Sequence, residues 1–433
     1  MAEIVPFRGF RYDTRATENL GKLIAPPYDV IDAPLRDTLF RLSPYNIAHI
    51  TRADRAENAP EGPYAAAGRL WAQWRERGIV KQDDQPCLYI YEQHFEVHGR
   101  RFSRTALVCA VRIEKPGGAV RPHEHTLAAP RMDRLDLQRA THAQLGQVFG
   151  LYNDPAGDIV RLLEPIKKGR PIAQAADRQD LLHRLWIISD PAIIAALQKA
   201  LRDREILIAD GHHRYETSLA FSQEHPNVDL AKYRMMSLVD ASSAGLVILP
   251  IHRLVSRLKD FNPENFLAGL RQAFETKLYP GDTPAVRSAV LEAIRELKEE
   301  GRHAFGLYLG DKNHYVLVLR REDLMDARKD HSQAWRRLDV SILHRLLLEE
   351  HMGITPERLE TEANVEYIHD FPHAIQEAAD RVAAGDCQAL FLMNPTSVTE
   401  VEAVADQRER MPQKSTFFFP KIYTGMVFYC MDA

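Results

Sequence analysis

The segment 205–219, with the sequence EILIADGHHRYETSL, carries side chains whose types and spacing suit phosphate chemistry. A short apolar strand is predicted to end at Asp210, Gly211 permits a tight turn, and a helix is predicted to start with the basic residues 212–214. Because the helix dipole is positive at its start, basic side chains are unfavourable there unless an anion is present. The N–H groups of a helix start bind phosphate, and arginine adds a bidentate pair of donors. The pattern therefore predicts an anion site at this turn.

Asp210 and the two histidines leave alternatives open. Asp210 is predicted either to ligate Mg²⁺ or to cap the helix through the N–H groups that follow it. The plainest alternative is that Asp210 is only a cap and that His212 and His213 are surface residues. A zinc site is a further alternative, but adjacent residues on a helix point about 100° apart. The two histidines would therefore need a third ligand to chelate one ion.

A second polar segment, PHEHT at 122–126, places Glu124 between His123 and His125. In an extended chain the two histidines share one face and can bind a metal ion, whereas Glu124 points the other way. A glutamate flanked by histidines is a candidate general base, and its pKa depends on its burial. The alternative is a solvated polar loop. The segment gains weight as a functional candidate because a second histidine-rich segment exists to pair with it.

The elements that position these segments alternate between helices and strands in the middle of the chain, which favours a mixed α/β fold. The proline-rich first 60 residues are interpreted as short strands and ordered loops. The predicted strands are 88–97, 102–113, 148–152, 205–209, 235–239, 245–251, 303–309, 314–320 and 388–393. The predicted helices are 63–77, 133–145, 191–202, 212–224, 262–274, 285–300, 340–351, 371–384 and one that follows a capping box of Ser397 and Glu400.

Composition limits the classes of partner. The 433 residues carry a net charge of −4 and no block of basic residues, so we expect no nucleic-acid partner. No apolar run approaches the ~20 residues needed to cross a bilayer, and the first ten residues lack a signal-peptide pattern, so we expect no membrane partner. Four scattered cysteines fit a reducing environment, and a cytoplasmic location is expected.

Six motifs spread along the chain carry a family resemblance. They are PFRG at 6–9, APPYDV at 25–30, SPYN at 43–46, PHEHT at 122–126, ADGHHRYET at 209–217 and MPQKST at 411–416. Together they resemble the bacterial and archaeal family called domain of unknown function ten-fifteen. That resemblance implies a family without implying a reaction.

The DGHHR segment is also similar to the phosphate-binding segment of ParB-like proteins, among them sulfiredoxin and the free serine kinases. This resemblance implies a ParB-like nucleotide-binding core with large N- and C-terminal additions that contain antiparallel hairpins and helices. It implies nucleotide phosphate bound by Asp210, Gly211, His212, His213 and Arg214. It also implies Mg²⁺ on Asp210, and Glu124 as the base toward a substrate hydroxyl, with His123 and His125 beside it as catalytic candidates.

The resemblance implies three regions. They are an N-terminal α+β region at 1–115, the ParB-like core at 116–260 and a C-terminal α/β region at 261–433. Glu124 and Asp210 are 86 residues apart, which implies an insertion that includes part of 148–185. The long flanks are candidates for a substrate lid, a homodimer interface or a second site.

Three functional hypotheses remain. The first is a phosphotransferase that moves a phosphoryl group between ATP or ADP, with Mg²⁺, and a small hydroxylated metabolite such as L-serine. It is favoured because phosphoryl transfer needs mainly positioning and charge neutralisation, which a cluster of His, Arg and Asp-bound Mg²⁺ supplies. The second is a metal-dependent hydrolase that uses Asp210 and the histidines of both segments, which are His123, His125, His212 and His213. The third is a non-catalytic nucleotide-binding regulator.

Overall fold

The protein consists of two compact units. The computed structural model describes residues 2–17, 19–52, 62–115, 117–124, 128–327 and 329–432. Unit 1 comprises Met1–Pro122, Thr126–Val247 and Pro420–Ala433. Unit 2 comprises His123–His125 and Ile248–Phe419. The predicted regions 1–115 and 116–260 therefore both contribute to unit 1. The PHEHT segment begins in unit 1 and continues in unit 2.

The described residues form short and long strands and helices with the following bounds. The strands are β1 Ile4–Val5, β2 Phe10–Tyr12, β3 Val80–Gln82, β4 Leu88–Val97, β5 Arg100–Arg112, β6 Val120–Arg121, β7 Ala143–Gln144, β8 Val148–Tyr152, β9 Ala173–Ala176, β10 Leu182–Ile188, β11 Ile206–Asp210, β12 Tyr233–Asp240, β13 Val247–Leu249, β14 Ile251–Val255, β15 Phe274–Pro280, β16 Ala304–Tyr308, β17 Asn313–Leu319, β18 Val365–His369, β19 Ala389–Leu392, β20 Phe417–Phe419 and β21 Tyr429–Cys430. The helices are α1 Ala33–Leu42, α2 Ala48–Thr51, α3 Pro63–Glu76, α4 Ala128–Thr141, α5 Asp158–Lys167, α6 Pro191–Arg202, α7 His212–Glu224, α8 Pro263–Leu270, α9 Pro284–Glu299, α10 Asp323–Asp326, α11 Gln333–Arg336, α12 Asp339–Ile342, α13 Pro356–Glu360, α14 Pro372–Ala383 and α15 Val398–Asp406.

Unit 1 is built on a mixed sheet in which the strands follow the order β6-β11-β8-β12-β5-β4-β10-β9, with β1 paired to β5. The β6–β11 and β8–β12 pairs are parallel, and the other pairs are antiparallel. Apolar residues of α5 and α6, such as Leu163 and Leu197, pack against the apolar side chains of this sheet. Burial of these side chains supplies the main stabilising free energy of the unit.

The predicted anion turn lies at the end of β11. The register of β11 against β8 shifts between Ile208 and Asp210, so that Asp210 stands opposite Phe149. Such a bulge bends the strand and re-aims the side chains that follow it. Gly211 adopts φ 93° and ψ 30°, a left-handed conformation that glycine tolerates without a Cβ clash, and α7 begins at the next residue.

Unit 2 contains an antiparallel sheet with the order β15-β17-β16-β19-β14-β18. Helices α9 and α14 pack their apolar faces against it, through residues such as Ile294 and Val382. A π-helical segment, Leu343–His351, continues directly from α12. Among the described residues no helix is both long and apolar enough to cross a bilayer.

The sequence-predicted fold class, a mixed α/β protein, is confirmed. The helix predicted over 212–224 has these bounds in the structure, and the strand predicted over 88–97 is present as β4 with the same bounds. The capping box is also present, because the Ser397 hydroxyl accepts from the backbone N–H of Glu400 while the Glu400 carboxylate accepts from the N–H of Ser397. Strongly patterned local signals therefore predicted these elements well.

Several sequence predictions were wrong in detail. The N-terminal region contains α1, which begins where the Asp32 carboxylate caps the N–H of Leu35 and a proline occupies the first turn. The strand predicted over 245–251 is divided into β13 and β14, because Pro250 has no N–H to donate to a ladder. The helix predicted over 262–274 ends at Leu270, and β15 then begins at Phe274, where pairing with β17 outweighs helical propensity.

The capping box of α15 gives a test of local stability. We expect Ser397→Ala to lower the free energy of unfolding by about 1 kcal/mol, because the N–H of Glu400 loses its acceptor. Ser397→Asn, which keeps an accepting side chain at the cap, should retain most of the stability. Urea denaturation of both variants measures the difference, and equal losses would contradict the capping role.

Candidate functional site

Asp210, at the end of β11, lies between two cations. Its Oδ1 accepts a hydrogen bond from the Lys421 ammonium, and its Oδ2 accepts one from the Arg214 guanidinium. The side chains of all three are 12% exposed or less. Burial alone would raise the pKa of Asp210, but the charges of Lys421 and Arg214 outweigh burial and hold this pKa well below its ordinary value. The carboxylate is therefore ionised and already neutralised.

The first turn of α7 presents its backbone and two histidines beside this carboxylate. No side chain caps the helix start, where Gly211 is the N-cap residue. His212 is buried and His213 is half-buried, so the interpretation of both as surface residues does not describe His212. The charge of His212 also helps to lower the pKa of Asp210. The turn thus combines a helix N-terminus with basic side chains, as the sequence predicts.

Arg214 and Arg234 brace the loop that precedes β8. Arg214 donates to the carbonyl of Gln147 as well as to Asp210, and Arg234 donates to the carbonyl of Gly146. Arg234 also donates to the Ser218 hydroxyl over 3.1 Å. Burial and then the charge of Arg214 lower the pKa of Arg234 well below its ordinary value. The guanidinium groups of Arg214 and Arg234 are therefore two buried positive charges that lie close together.

Arg104 of β5 ties the segment after Phe419 to the sheet. Its guanidinium donates to the carbonyl of Pro420 and to the side-chain oxygen of Gln93, and the Gln93 amide donates to the carbonyl of Lys421 over 3.0 Å. Arg104 also lies 4.8 Å from the centroid of the Phe149 ring. Burial lowers the pKa of Arg104 to about 10, although Asp210 acts in the opposite direction. These contacts position Lys421 against Asp210.

His123 and Glu124 of the PHEHT segment lie in unit 2 and meet the MPQKST motif. His123 is fully buried and its Nε2 lies 3.2 Å from the Thr416 hydroxyl. Glu124 is half-buried, and its Oε1 accepts a hydrogen bond of 2.7 Å from the backbone N–H of Lys414. His125 lies outside the described residues. The structure therefore joins two of the six family motifs within one unit.

Buried polar groups of unit 2 surround this junction. Arg253 of β14 donates to the carbonyl of Lys414 over 2.9 Å, and its guanidinium lies 4.7 Å from the centroid of the Tyr367 ring. Burial lowers the pKa of His344 in the π-helical segment well below its ordinary value, and the charge of Arg253 lowers this pKa further. Within the described ranges, the Nε of Arg253, the Nε2 of His344 and the hydroxyl of Tyr367 are buried without a hydrogen-bond partner.

The described residues offer no cluster of side chains suited to holding a metal ion. In these ranges no three His, Cys, Asp or Glu side chains lie close enough together to hold an ion. Both oxygens of Asp210 already accept from cations, and these cations would repel Mg²⁺ at this carboxylate. The predicted magnesium role of Asp210 and the zinc alternative stay predictions.

Sequence reasoning missed Lys421, Arg104 and Arg234. Lys421 is 211 positions from Asp210, so no local spacing links them. Arg104 and Arg234, however, stand inside the apolar strands β5 and β12, and a charged residue at a buried strand position is an informative signal. That signal was available in the sequence.

A comparison with protein families now identifies the chain. Residues 4–341 match the family described as "Protein of unknown function (DUF1015)". The chain belongs to this family, which confirms the resemblance that the six motifs carry. A comparison with curated proteins finds no match.

Solved structures that are similar to the chain share little sequence with it. A free serine kinase in complex with AMP is 13% identical, with a TM-score of 0.33, over 69% of this chain and 83% of that chain. A conserved hypothetical protein from Pyrococcus furiosus has the same identity and TM-score, over 70% of this chain and 89% of its own. SbnI from Staphylococcus aureus matches at 13% identity and a TM-score of 0.33, over 72% and 84%. Similarity at this level is too distant to define an activity.

The Asp210 cluster predicts a pH-dependent stability. We expect Asp210→Asn to lower the free energy of unfolding by about 3–5 kcal/mol at pH 7, because two buried cations lose their counter-charge. Since the folded pKa of Asp210 is lowered, its contribution is complete above the ordinary pKa of about 4 and is lost as the pH falls below it. The difference between the two proteins should therefore be constant above about pH 5 and should shrink progressively as the pH falls below about 4, as measured by urea denaturation.

A matched control is Asp229→Asn, which removes a carboxylate from an exposed pair with Lys232. Exposed pairs are screened by water and contribute little, so this variant should unfold like the wild type. A loss for Asp210→Asn that stays constant with pH would contradict the ionised state of Asp210.

Proposed function

We propose that the protein binds a nucleotide through its phosphates at the turn between β11 and α7 and transfers a phosphoryl group to a small hydroxylated metabolite. The observation that carries this proposal is the charge around the turn: Lys421 and Arg214 both hold the carboxylate of Asp210 at a helix start. One carboxylate offsets only one of the two positive charges, so the turn keeps an excess positive charge. A helix N-terminus with excess positive charge favours phosphate.

The turn supplies the parts that phosphoryl transfer requires. The first N–H groups of α7, His212 and His213 are the donors for nucleotide phosphates, and Asp210 keeps the two cations fixed. Fixed donors stabilise the charge of the transferring group without reorganising during the reaction. Mg²⁺ enters with the nucleotide phosphates, because it is commonly held by phosphates together with one or two carboxylates.

In the proposed reaction, the acceptor hydroxyl oxygen attacks the terminal phosphorus of ATP or ADP. The bond from that phosphorus to the bridging oxygen breaks, and ADP or AMP leaves with the electron pair. The hydroxyl proton passes to Glu124, the base that the resemblance to free serine kinases implies. L-serine is the first acceptor to test.

Calorimetric titration with ATP, ADP and AMP, with Mg²⁺ and with EDTA, tests nucleotide binding. We expect the wild type to bind at least one of them. His213→Ala should lose about tenfold or more in affinity, because a charged hydrogen bond to phosphate is removed. Arg214→Ala should lose affinity as well, because the turn loses one of the two cations that give it an excess of positive charge. Arg139→Ala, which changes an exposed arginine of α4 paired with Glu224, is the control for charge and should bind normally. Absence of binding to the wild type would remove the proposal.

The role of Glu124 is tested separately. We expect Glu124→Gln to bind nucleotide like the wild type and to lose about 10²- to 10⁴-fold in turnover, because a positioned base contributes that factor. The measurement is nucleotide consumption with L-serine and other small hydroxylated metabolites. Normal turnover in this variant would show that Glu124 is not the base.

A further inference from the structure

A half-open cavity of about 50 Å³ lies in unit 1, next to the Asp210 cluster. Three of the residues that line it are arginines: Arg134, Arg214 and Arg234. Each of these arginines is 7% exposed or less. Buried cations are unfavourable unless an opposite charge accompanies them. Three buried arginines beside one cavity therefore require nearby negative charges.

The counter-charges do not match the cations. Arg134 pairs with Asp133 and also donates to the carbonyl of Thr51, and Arg214 shares Asp210 with Lys421. Arg234 donates only to neutral oxygens in the described part of the chain, and no carboxylate there forms an ion pair with it. In the same part of the chain, the Nε groups of Arg214 and Arg234 are buried without an acceptor. A negative charge is therefore missing beside Arg234.

The other lining residues indicate the size and shape of the missing group. The aromatic ring of Tyr28 lies 4.0 Å from the guanidinium carbon of Arg134, and Pro27, Leu137 and Leu145 add apolar surface. The volume is several times the ~10–15 Å³ that one water needs. It is far below the ~300 Å³ of pockets that enclose whole drug-sized ligands. A planar carboxylate on a short aliphatic stem fits both limits, and guanidinium groups match its two oxygens.

We infer that this cavity binds the carboxylate of a small organic acid, with Arg234 as its principal charged partner and Arg134 and Arg214 beside it. Carboxylate binding is independent of the proposed function, whereas the role of this acid as the phosphoryl acceptor rests on that function. Arg214 belongs both to the phosphate turn and to the cavity wall. An acid held by its carboxylate would therefore place a hydroxyl on the next carbons close to the nucleotide phosphates, which selects hydroxy acids and hydroxy amino acids as acceptors.

Calorimetry without nucleotide tests the cavity directly. The probes are acetate, glycolate and L-serine, compared with ethanolamine, which keeps the hydroxyl and lacks the carboxylate, and with inorganic phosphate, all at equal ionic strength. We expect the carboxylates to bind and to raise the midpoint of thermal unfolding, since a ligand that binds only the folded state stabilises it. Ethanolamine should not bind. Phosphate that displaces the bound carboxylates and binds more tightly than every one of them would overturn the assignment.

Arg234→Met removes the unpaired charge while keeping the length of the side chain. We expect about tenfold or greater loss of carboxylate affinity, with nucleotide affinity unchanged, because Arg234 is outside the phosphate turn. Arg134→Met is a second variant with the same expectation if Arg234→Met fails to fold, and Arg139→Met, at an exposed position, is the control. Equal carboxylate binding by the wild type and both cavity variants would refute the site.

The two proposals fail in different ways. Carboxylate binding without nucleotide binding would leave the cavity assigned and remove the phosphotransferase. Nucleotide binding with no carboxylate binding to the wild type would retain the phosphate turn and overturn the cavity assignment.

Discussion

The carboxylate of Asp210, shared by Lys421 and Arg214, is the interaction on which unit 1 depends where β11 ends. Removing three charged groups from water is costly, and their mutual attraction offsets this cost only where the geometry brings all of them into contact. That requirement links the end of β11, the first turn of α7 and the segment after Phe419. A bulge in β11 and a left-handed Gly211 provide the backbone shape that lets Asp210 and Arg214 meet.

Buried arginines serve this unit as donors to backbone carbonyls. Arg104, Arg214 and Arg234 donate to the carbonyls of Pro420, Gln147 and Gly146, respectively. Irregular segments carry carbonyls that no ladder satisfies, and an unpaired buried carbonyl is unfavourable. The long, planar guanidinium reaches several acceptors at once. The cost is a set of positive charges in the interior, and Arg234, beside the cavity, is one of them that no carboxylate among the described residues pairs with.

Features that depend on residues close together in the sequence were predictable, whereas contacts between residues far apart in the sequence were not. The strand, turn and helix around residues 206–224 were predictable because apolar runs, a glycine and a helical period act within a few residues. The family was predictable because six motifs occur in order. The partners of Asp210 and Glu124 were not predictable, because Lys421 and Lys414 reach these carboxylates across 211 and 290 positions. β15 was missed because its pairing with β17 is a tertiary interaction that local propensity does not encode.

Because the two parts of unit 1 flank unit 2 in the sequence, the residues of the Asp210 cluster are synthesised at different times. Asp210 and Arg214 leave the ribosome before unit 2, whereas Lys421 follows it, after about 170 residues. At ~5–20 residues per second this interval lasts roughly ten to thirty seconds. Throughout it, β7 has not yet met β21 and the carboxylate has Arg214 without Lys421. Until unit 2 has been synthesised, the nascent chain therefore carries a form of unit 1 that lacks both β21 and the Lys421 contact to Asp210.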